Sequence, residues 1–187
     1  MKKAIVNYIT PNAWHPHGQA RLAKSLKRVK FDGDIILFNP SNLRSSSHHT
    51  TPYAFKFYAL KELQRRKYDL VLWVDASFWA IRPVNNLFAF IEQKKIAVQA
   101  CEFSLGQYSS DDSLKRLKVT RNDAFTMLMY SGGLVGLDLR DNKAKAFLNT
   151  MFEFAKEGSC FRGSWTNRKQ EVSKDKRVKG HRHDMVV

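Results

Sequence analysis

Residues 69–75 read DLVLWVD: five apolar residues with a carboxylate at each end. Side chains alternate across a strand, so an unbroken apolar run is apolar on both faces. That is the pattern of a central strand in a parallel sheet, covered by helices above and below. Outward from it, residues 3–9 (KAIVNYI) and 34–38 (DIILF) read as short buried strands, the second stopped by Asn39-Pro40. Residues 18–30 carry Leu22, Ala23, Leu26 and Val29 on one helical stripe. The polar run SNLRSSSHHTTP reads as a loop, and residues 53–66 and 85–95 read as helices. Residues 96–101 form a further short strand. Residues 102–121 are polar and irregular, with a short helix near Leu114. Residues 133–139 (GLVGLDL) are a strand. Asp141 then caps an amphipathic helix with Ala144, Phe147, Leu148, Met151, Phe152 and Ala155 on one face. From residue 158 onward the chain is polar, basic and aperiodic.

Strand and helix alternating at this spacing predict an α/β fold: an open, mostly parallel sheet flanked by helices, joined by right-handed crossovers. With no linker or internal repeat, one domain over residues 1–187 is expected. In such sheets ligands gather beyond the carboxyl ends of the strands. The residues to watch are therefore those just after Ile9, just after Asp75, and near residues 131–133.

The 187 residues are 43% hydrophobic with thirteen Phe, which suits a packed core. Two cysteines, Cys101 and Cys160, form no framework and point to reduced thiols in a cytoplasmic protein. No apolar run approaches a membrane span, and the first three residues lead into a strand, not a signal peptide. Thirty-two Lys and Arg against seventeen Asp and Glu give +15. A field of that sign attracts nucleic acid, anionic lipid surfaces or phosphorylated small molecules. No continuous basic arm and no RRM, KH or helix-turn-helix signature is present, so no specific nucleic acid is expected. An anionic membrane surface, met peripherally, stays open as a partner.

Four constellations carry chemistry. Asp75 ends a buried strand, where an uncompensated carboxylate is costly. With the oxygen of Ser77 two residues on, it suits a divalent ion that grips phosphate; the competing reading is a turn cap or an ion pair. Tyr130-Ser131-Gly132-Gly133 brings backbone close to a ligand, or is an ordinary tight turn. Gly180-His181-Arg182-His183-Asp184 offers metal ligands and a base, or is a polar loop. In an extended chain His181 and His183 would share one side. In YAFKFYAL (53–60), Lys56 is a lone cation that either neutralises a phosphate or snorkels from a core-facing helix.

Taken in order, YAFKFYAL, VLWVDAS, IRPVNNLF, YSGGLVGLDLR and GHRHD resemble the GT-A glycosyltransferases, and more narrowly the small ones of bacteria, phages and large viruses. The resemblance runs from about Lys3 to Asp184. It implies one GT-A-like, nucleotide-sugar-binding domain, shorter at its C-terminus than the family. It implies transfer of a sugar from a nucleoside diphosphate sugar to a glycan or glycoconjugate acceptor. Thr10, Lys56, Asp75, Ser77, Ser131, Gly132 and Gly133 would bind the donor. Asp75 and His183 would hold a divalent cation, Mn or Mg, and Asp184 would be the catalytic carboxylate. One departure matters: the family's D-x-D is here Asp75-Ala76-Ser77, and a hydroxyl is a far weaker ligand than a carboxylate. The alternative is a non-catalytic nucleic-acid or carbohydrate-binding protein on a degenerate glycosyltransferase fold.

Overall fold

A computed structural model describes residues 1–12 and 14–187. Its central strand is β3, Leu70–Val74, buried at every position. β1 (Lys3–Tyr8) pairs parallel to β3, and β2 (Asp34–Phe38) pairs parallel to β1. On the other side of β3 lies β5 (Leu128–Asp138), antiparallel to it, with Leu70 opposite Asp138 and Val74 opposite Leu134. β4 (Ile96–Ser104) completes the order β2-β1-β3-β5-β4. Backbone bonds from Asp138 N to Lys95 O (2.8 Å) and from Leu105 N to Met127 O (2.9 Å) set the start of β4 beside the end of β5 and the reverse. That pair is therefore antiparallel too. β1, β2, β3 and β4 share one direction and β5 opposes them, so the sheet is open and mostly parallel, as the sequence implies.

The helices are α1 (His15–Arg28), α2 (Phe55–Arg65), α3 (Asn85–Lys94), α4 (Asp111–Leu117), α5 (Arg121–Thr126) and α6 (Asn142–Glu157). The chain steps from β1 outward to β2, then back past β1 to β3. Right-handed crossovers in opposite directions put α1 and α2 on opposite faces. Leu22 and Leu26 of α1, with Phe88 and Ile91 of α3, pack on Ile5, Leu70, Leu72 and Val74. Val71 and Trp73 alternate to the other face, where the Lys56 ammonium of α2 lies 5.6 Å from the Trp73 ring centre. Lys61 of α2 bonds Asn149 of α6 there.

The chain forms two compact units. The first comprises Met1–Ser45, Lys56–Val98 and Gly133–Thr150 and holds the β1, β2 and β3 ladder. The second comprises Ser46–Phe55, Gln99–Gly132 and Met151–Val187. Its apolar centre is Tyr108, Met129 and Val186, with Cys101, Leu105, Leu117 and Met185 against them. Ser110 and Thr120 cap α4 and α5 through side-chain oxygens that accept from Ser113 N and Asp123 N.

The differences from expectation have local causes. α1 starts at His15, with Pro16 in its first turn, ahead of the expected residue 18. β5 starts at Leu128, not at residue 133. Tyr130, Ser131 and Gly132 break the apolar pattern, but a ladder of backbone bonds does not require one. β4 runs on to Ser104. The stretch after residue 158 is aperiodic, with 3-10 turns at Ser159–Phe161 and His183–Met185, yet it is not a solvated tail. Cys160, Phe161, Val172, Val178, His181, His183 and Val186 are all buried. Among the described residues no helix is long and apolar enough to cross a membrane.

Candidate functional site

The strand order reverses between β1 and β3, which is where an open α/β sheet leaves a crevice beyond its carboxyl ends. Thr10 follows β1 there and Asp75 follows β3. A buried polar network joins these strand ends. Asn7 of β1, fully buried, donates from Nδ2 to Val74 O at 2.7 Å. Gln19 of α1 donates from Nε2 to Asn7 Oδ1 at 2.9 Å and to Phe38 O at 3.1 Å. Three strand ends and one helix are thus tied together by two amides. Asn7 and Gln19 were missed from sequence; the lone amide inside KAIVNYI was the available signal.

Asp75 is held from three sides. Its N–H donates to Gly133 O at 3.0 Å, which fixes the turn off β3. Trp73 Nε1 donates to Oδ1 at 2.8 Å. Lys56 Nζ lies 3.1 Å from Oδ1 and 3.4 Å from Oδ2. Lys56 sits in the first turn of α2 and is 3% exposed, whereas the Asp75 side chain is 32% exposed. The lysine is therefore buried against its counter-charge, and the carboxylate keeps an edge to solvent. Burying an ammonium is tolerable only with such a partner. Of the two roles open to Lys56, the geometry gives neither pure snorkelling nor a free cation, but a fixed ion pair.

The other expected donor residues divide. Thr10 Oγ1 lies 3.0 Å from His15 Nδ1, at the entry to α1. Ser77 is exposed, and its carbonyl accepts from Arg21 Nη2 at 3.0 Å. Gly133, Gly132 and Ser131 stand within the extended run of β5 instead of in a turn at its entrance. A divalent ion wants several oxygen ligands from one site. Asp75 already meets an ammonium and an indole, and Ser77 adds only a hydroxyl. Among the described residues no three His, Cys, Asp or Glu side chains gather as a metal site. These residues do not by themselves compose one.

In the second unit His181 and His183 are 0% and 2% exposed, with ring centres 5.3 Å apart. Gly180 lets the chain pass so close: a Cβ there would stand 2.0 Å from Trp165 O. His181 Nδ1 accepts from Ser110 N at 3.2 Å, so its Nε2–H donates to Cys160 O at 3.0 Å. Burial, then the neighbouring His183, pushes the His181 pKa down to about 3. His183 Nδ1 lies 2.8 Å from Phe161 O, so that nitrogen carries the proton. Its Nε2 is a bare acceptor, buried without a hydrogen-bond partner among the described residues. Burial lowers its pKa as well. His183 has φ 47°, a left-handed conformation that few non-glycine residues adopt. Tyr53 and Trp165 flank its ring at 5.6 and 5.0 Å. Asp184 is 9% exposed in the His183–Met185 turn. The extended, alternating chain expected here is replaced by a turn that buries all three.

A second buried carboxylate escaped notice in the sequence. Asp138 is 1% exposed and ends β5, at the opposite end of β3 from Asp75. Arg140 Nε and Nη2 donate to it at 2.8 and 2.9 Å, and Lys95 Nζ lies at 3.0 Å. Arg140 first, then Lys95, holds its carboxyl far below the usual carboxylate range. All its charge is matched internally, which marks it as a clamp.

No protein-family model matches the chain, and no curated protein matches it. Among solved structures it is similar to the galactosyltransferase LgtC in complex with donor and acceptor sugar analogs. That likeness has 12% identity and a TM-score of 0.44, over 83% of this chain and 66% of LgtC. It is also similar to the glycosyltransferase GlyE of Streptococcus pneumoniae TIGR4. Against the apo form the values are 12% and 0.40, over 84% of this chain and 39% of GlyE. A second GlyE structure gives 13% and 0.43, over 99% and 42%. The chain thus spans from about two fifths of GlyE to just under two thirds of LgtC.

Proposed function

We propose that this chain is a glycosyltransferase that moves a sugar from a nucleoside diphosphate sugar to a hydroxyl of a glycan or glycoconjugate. The observation that carries the reading is Asp75: a part-exposed carboxylate, fixed by a buried lysine, at the carboxyl end of the central strand and at the reversal of strand order. A carboxylate oriented by Trp73 and Lys56 is a rigid acceptor for donor hydroxyls, at little cost in reorganisation. The leaving group is a diphosphate, so positive potential at this strand end stabilises charge as it develops. Lys56, paired with Asp75, keeps that carboxylate from adding uncompensated negative charge there. Thr10 and the β5 residues Ser131, Gly132 and Gly133 are assigned to the donor side. Asp184 is assigned to take the acceptor hydroxyl's proton. Where Mn or Mg is used, Asp75 would be a ligand to it in the first unit, and the cation would supply Lewis-acid stabilisation of the leaving phosphate.

A thermal-shift panel of UDP-, GDP-, ADP- and dTDP-sugars, each with Mn and with a chelator, tests the reading. One nucleotide class should raise the melting temperature by a few degrees at saturating concentration, on the order of 2–3 kcal/mol of linkage. Asp75→Ala should abolish that shift. No shift with any donor, or a shift unchanged in Asp75→Ala, overturns the assignment. Dependence on Mn decides whether a cation completes the site.

A further inference from the structure

The first 31 residues contain no carboxylate side chain, and neither do residues 76–91. These two acid-free stretches lie against each other in the first unit. Gly18 of α1 packs so closely on the strand-end loop that a Cβ would meet Ala76 O at 2.5 Å. Arg21 donates to Ser77 O at 3.0 Å, and its guanidinium lies 4.3 Å from the Trp79 ring centre. Ala80 N donates to Ser25 Oγ at 2.8 Å, and Arg28 donates to Ala80 O at 2.9 Å. Residues 76–80 therefore run along α1 from its first turn to its last.

The outward side of this ridge is both basic and apolar. Ile81 is 75% exposed, and Trp79 and Trp14 are 51% and 52% exposed. Arg21, Lys24, Arg28 and Arg82 are exposed beside them. Further along, Leu87 and Phe90, three residues apart on α3, are exposed, on the flank of the helix beside the buried Phe88 and Ile91. None of these outward groups belongs to the core packed from Leu22 and Leu26. Exposed large apolar groups rimmed by one sign of charge mark an interaction surface. A nucleic acid would match the arginines and leave Ile81, Leu87 and Phe90 in water. A phospholipid surface matches both, with headgroups on the guanidinium groups, indole rings at the interface and aliphatic side chains below it.

We propose that this α1 and residue 76–82 face docks the protein on an anionic phospholipid surface. The charge of +15 supplies the long-range attraction, and Trp79 and Ile81 supply the inserted apolar groups. The inference does not depend on the donor-site reading. Co-sedimentation of the full chain with phosphatidylcholine vesicles, with and without phosphatidylglycerol, tests it. Partition is expected only with phosphatidylglycerol and should weaken as salt rises. Ile81→Asp should lower it roughly tenfold with the melting temperature unchanged. Arg21→Glu should also lower it, whereas Lys174→Glu, the same charge change in the second unit, should lower it far less. Three results would overturn the proposal: no partition onto phosphatidylglycerol vesicles; equal partition by Ile81→Asp and wild type; or, in the absence of lipid, a dimer or a duplex-DNA complex that Ile81→Asp dissolves.

Discussion

The two units bury polar chemistry in opposite ways. In the first, Asp75 and Lys56 remain a charged pair whose carboxylate keeps a solvent edge. In the second, His181 and His183 are held neutral by burial, each with one nitrogen bonded to a backbone carbonyl. A charged pair kept at a strand end can exchange a partner for a ligand. A neutral ring locked between Ser110 N and Cys160 O cannot do so without breaking its own bonds. On this contrast Asp75 keeps a solvent-facing edge, whereas His181 is part of the second unit's frame.

The sharpest way to break the comparison is to remove one half of the pair. Asp75→Ala leaves the buried Lys56 ammonium without its carboxylate. It should cost about 2–3 kcal/mol in urea unfolding, below the full penalty for a wholly buried pair because Asp75 is part-exposed. Asp75→Ala combined with Lys56→Met should recover more than half of that loss. If single and double variants are equally destabilised, the pair is not coupled and the charged-pair description fails.

The pH dependence of the second unit carries the next effect. The folded His181 pKa is about 3, against 6.5 for the ordinary group. Between those values the unfolded chain binds a proton that the folded chain refuses, so stability falls as pH drops from 6.5 toward 3. The slope from this one group approaches about 1.4 kcal/mol per pH unit once pH is well below 6.5, and the lowered His183 adds in the same sense. Melting of wild type and His181→Gln at pH 7, 6 and 5 measures it. The variant should be less stable at pH 7 but should lose less on acidification. Parallel curves would show that His181 is not the group that resists protonation.

How much of this was legible follows from what each signal encodes. β3 was readable because its identity rests on five adjacent apolar residues. The place of Asp75 was readable because the carboxylate ends that run. The direction of β5 was not: a strand's alternation is the same read either way, and its antiparallel pairing with β3 is set by long-range order. The partner of Lys56 was visible only as a lone cation, since the 19 residues to Asp75 carry no geometric signal. The burial of the His181 segment was not legible, because it depends on Phe161, Cys160 and Ser110, far off in sequence.

The smallest effect isolates one bond in the first unit. Trp73→Phe keeps an aromatic ring on the buried face but removes the indole N–H that reaches Asp75 Oδ1 at 2.8 Å. A hydrogen bond to a charged acceptor is worth about 1.5–3 kcal/mol when nothing replaces it. Here water reaches the solvent edge of Asp75 and Lys56 stays in place, so the net loss should be about 1 kcal/mol, plus a smaller packing term. The decisive readout is the pairing with Asp75→Ala. If the indole acts through the carboxylate, Trp73→Phe should cost less in the Asp75→Ala background than in wild type. A cost identical in both backgrounds would mean that the indole serves the core alone, and that Asp75 is oriented by Lys56 and the Gly133 carbonyl without it.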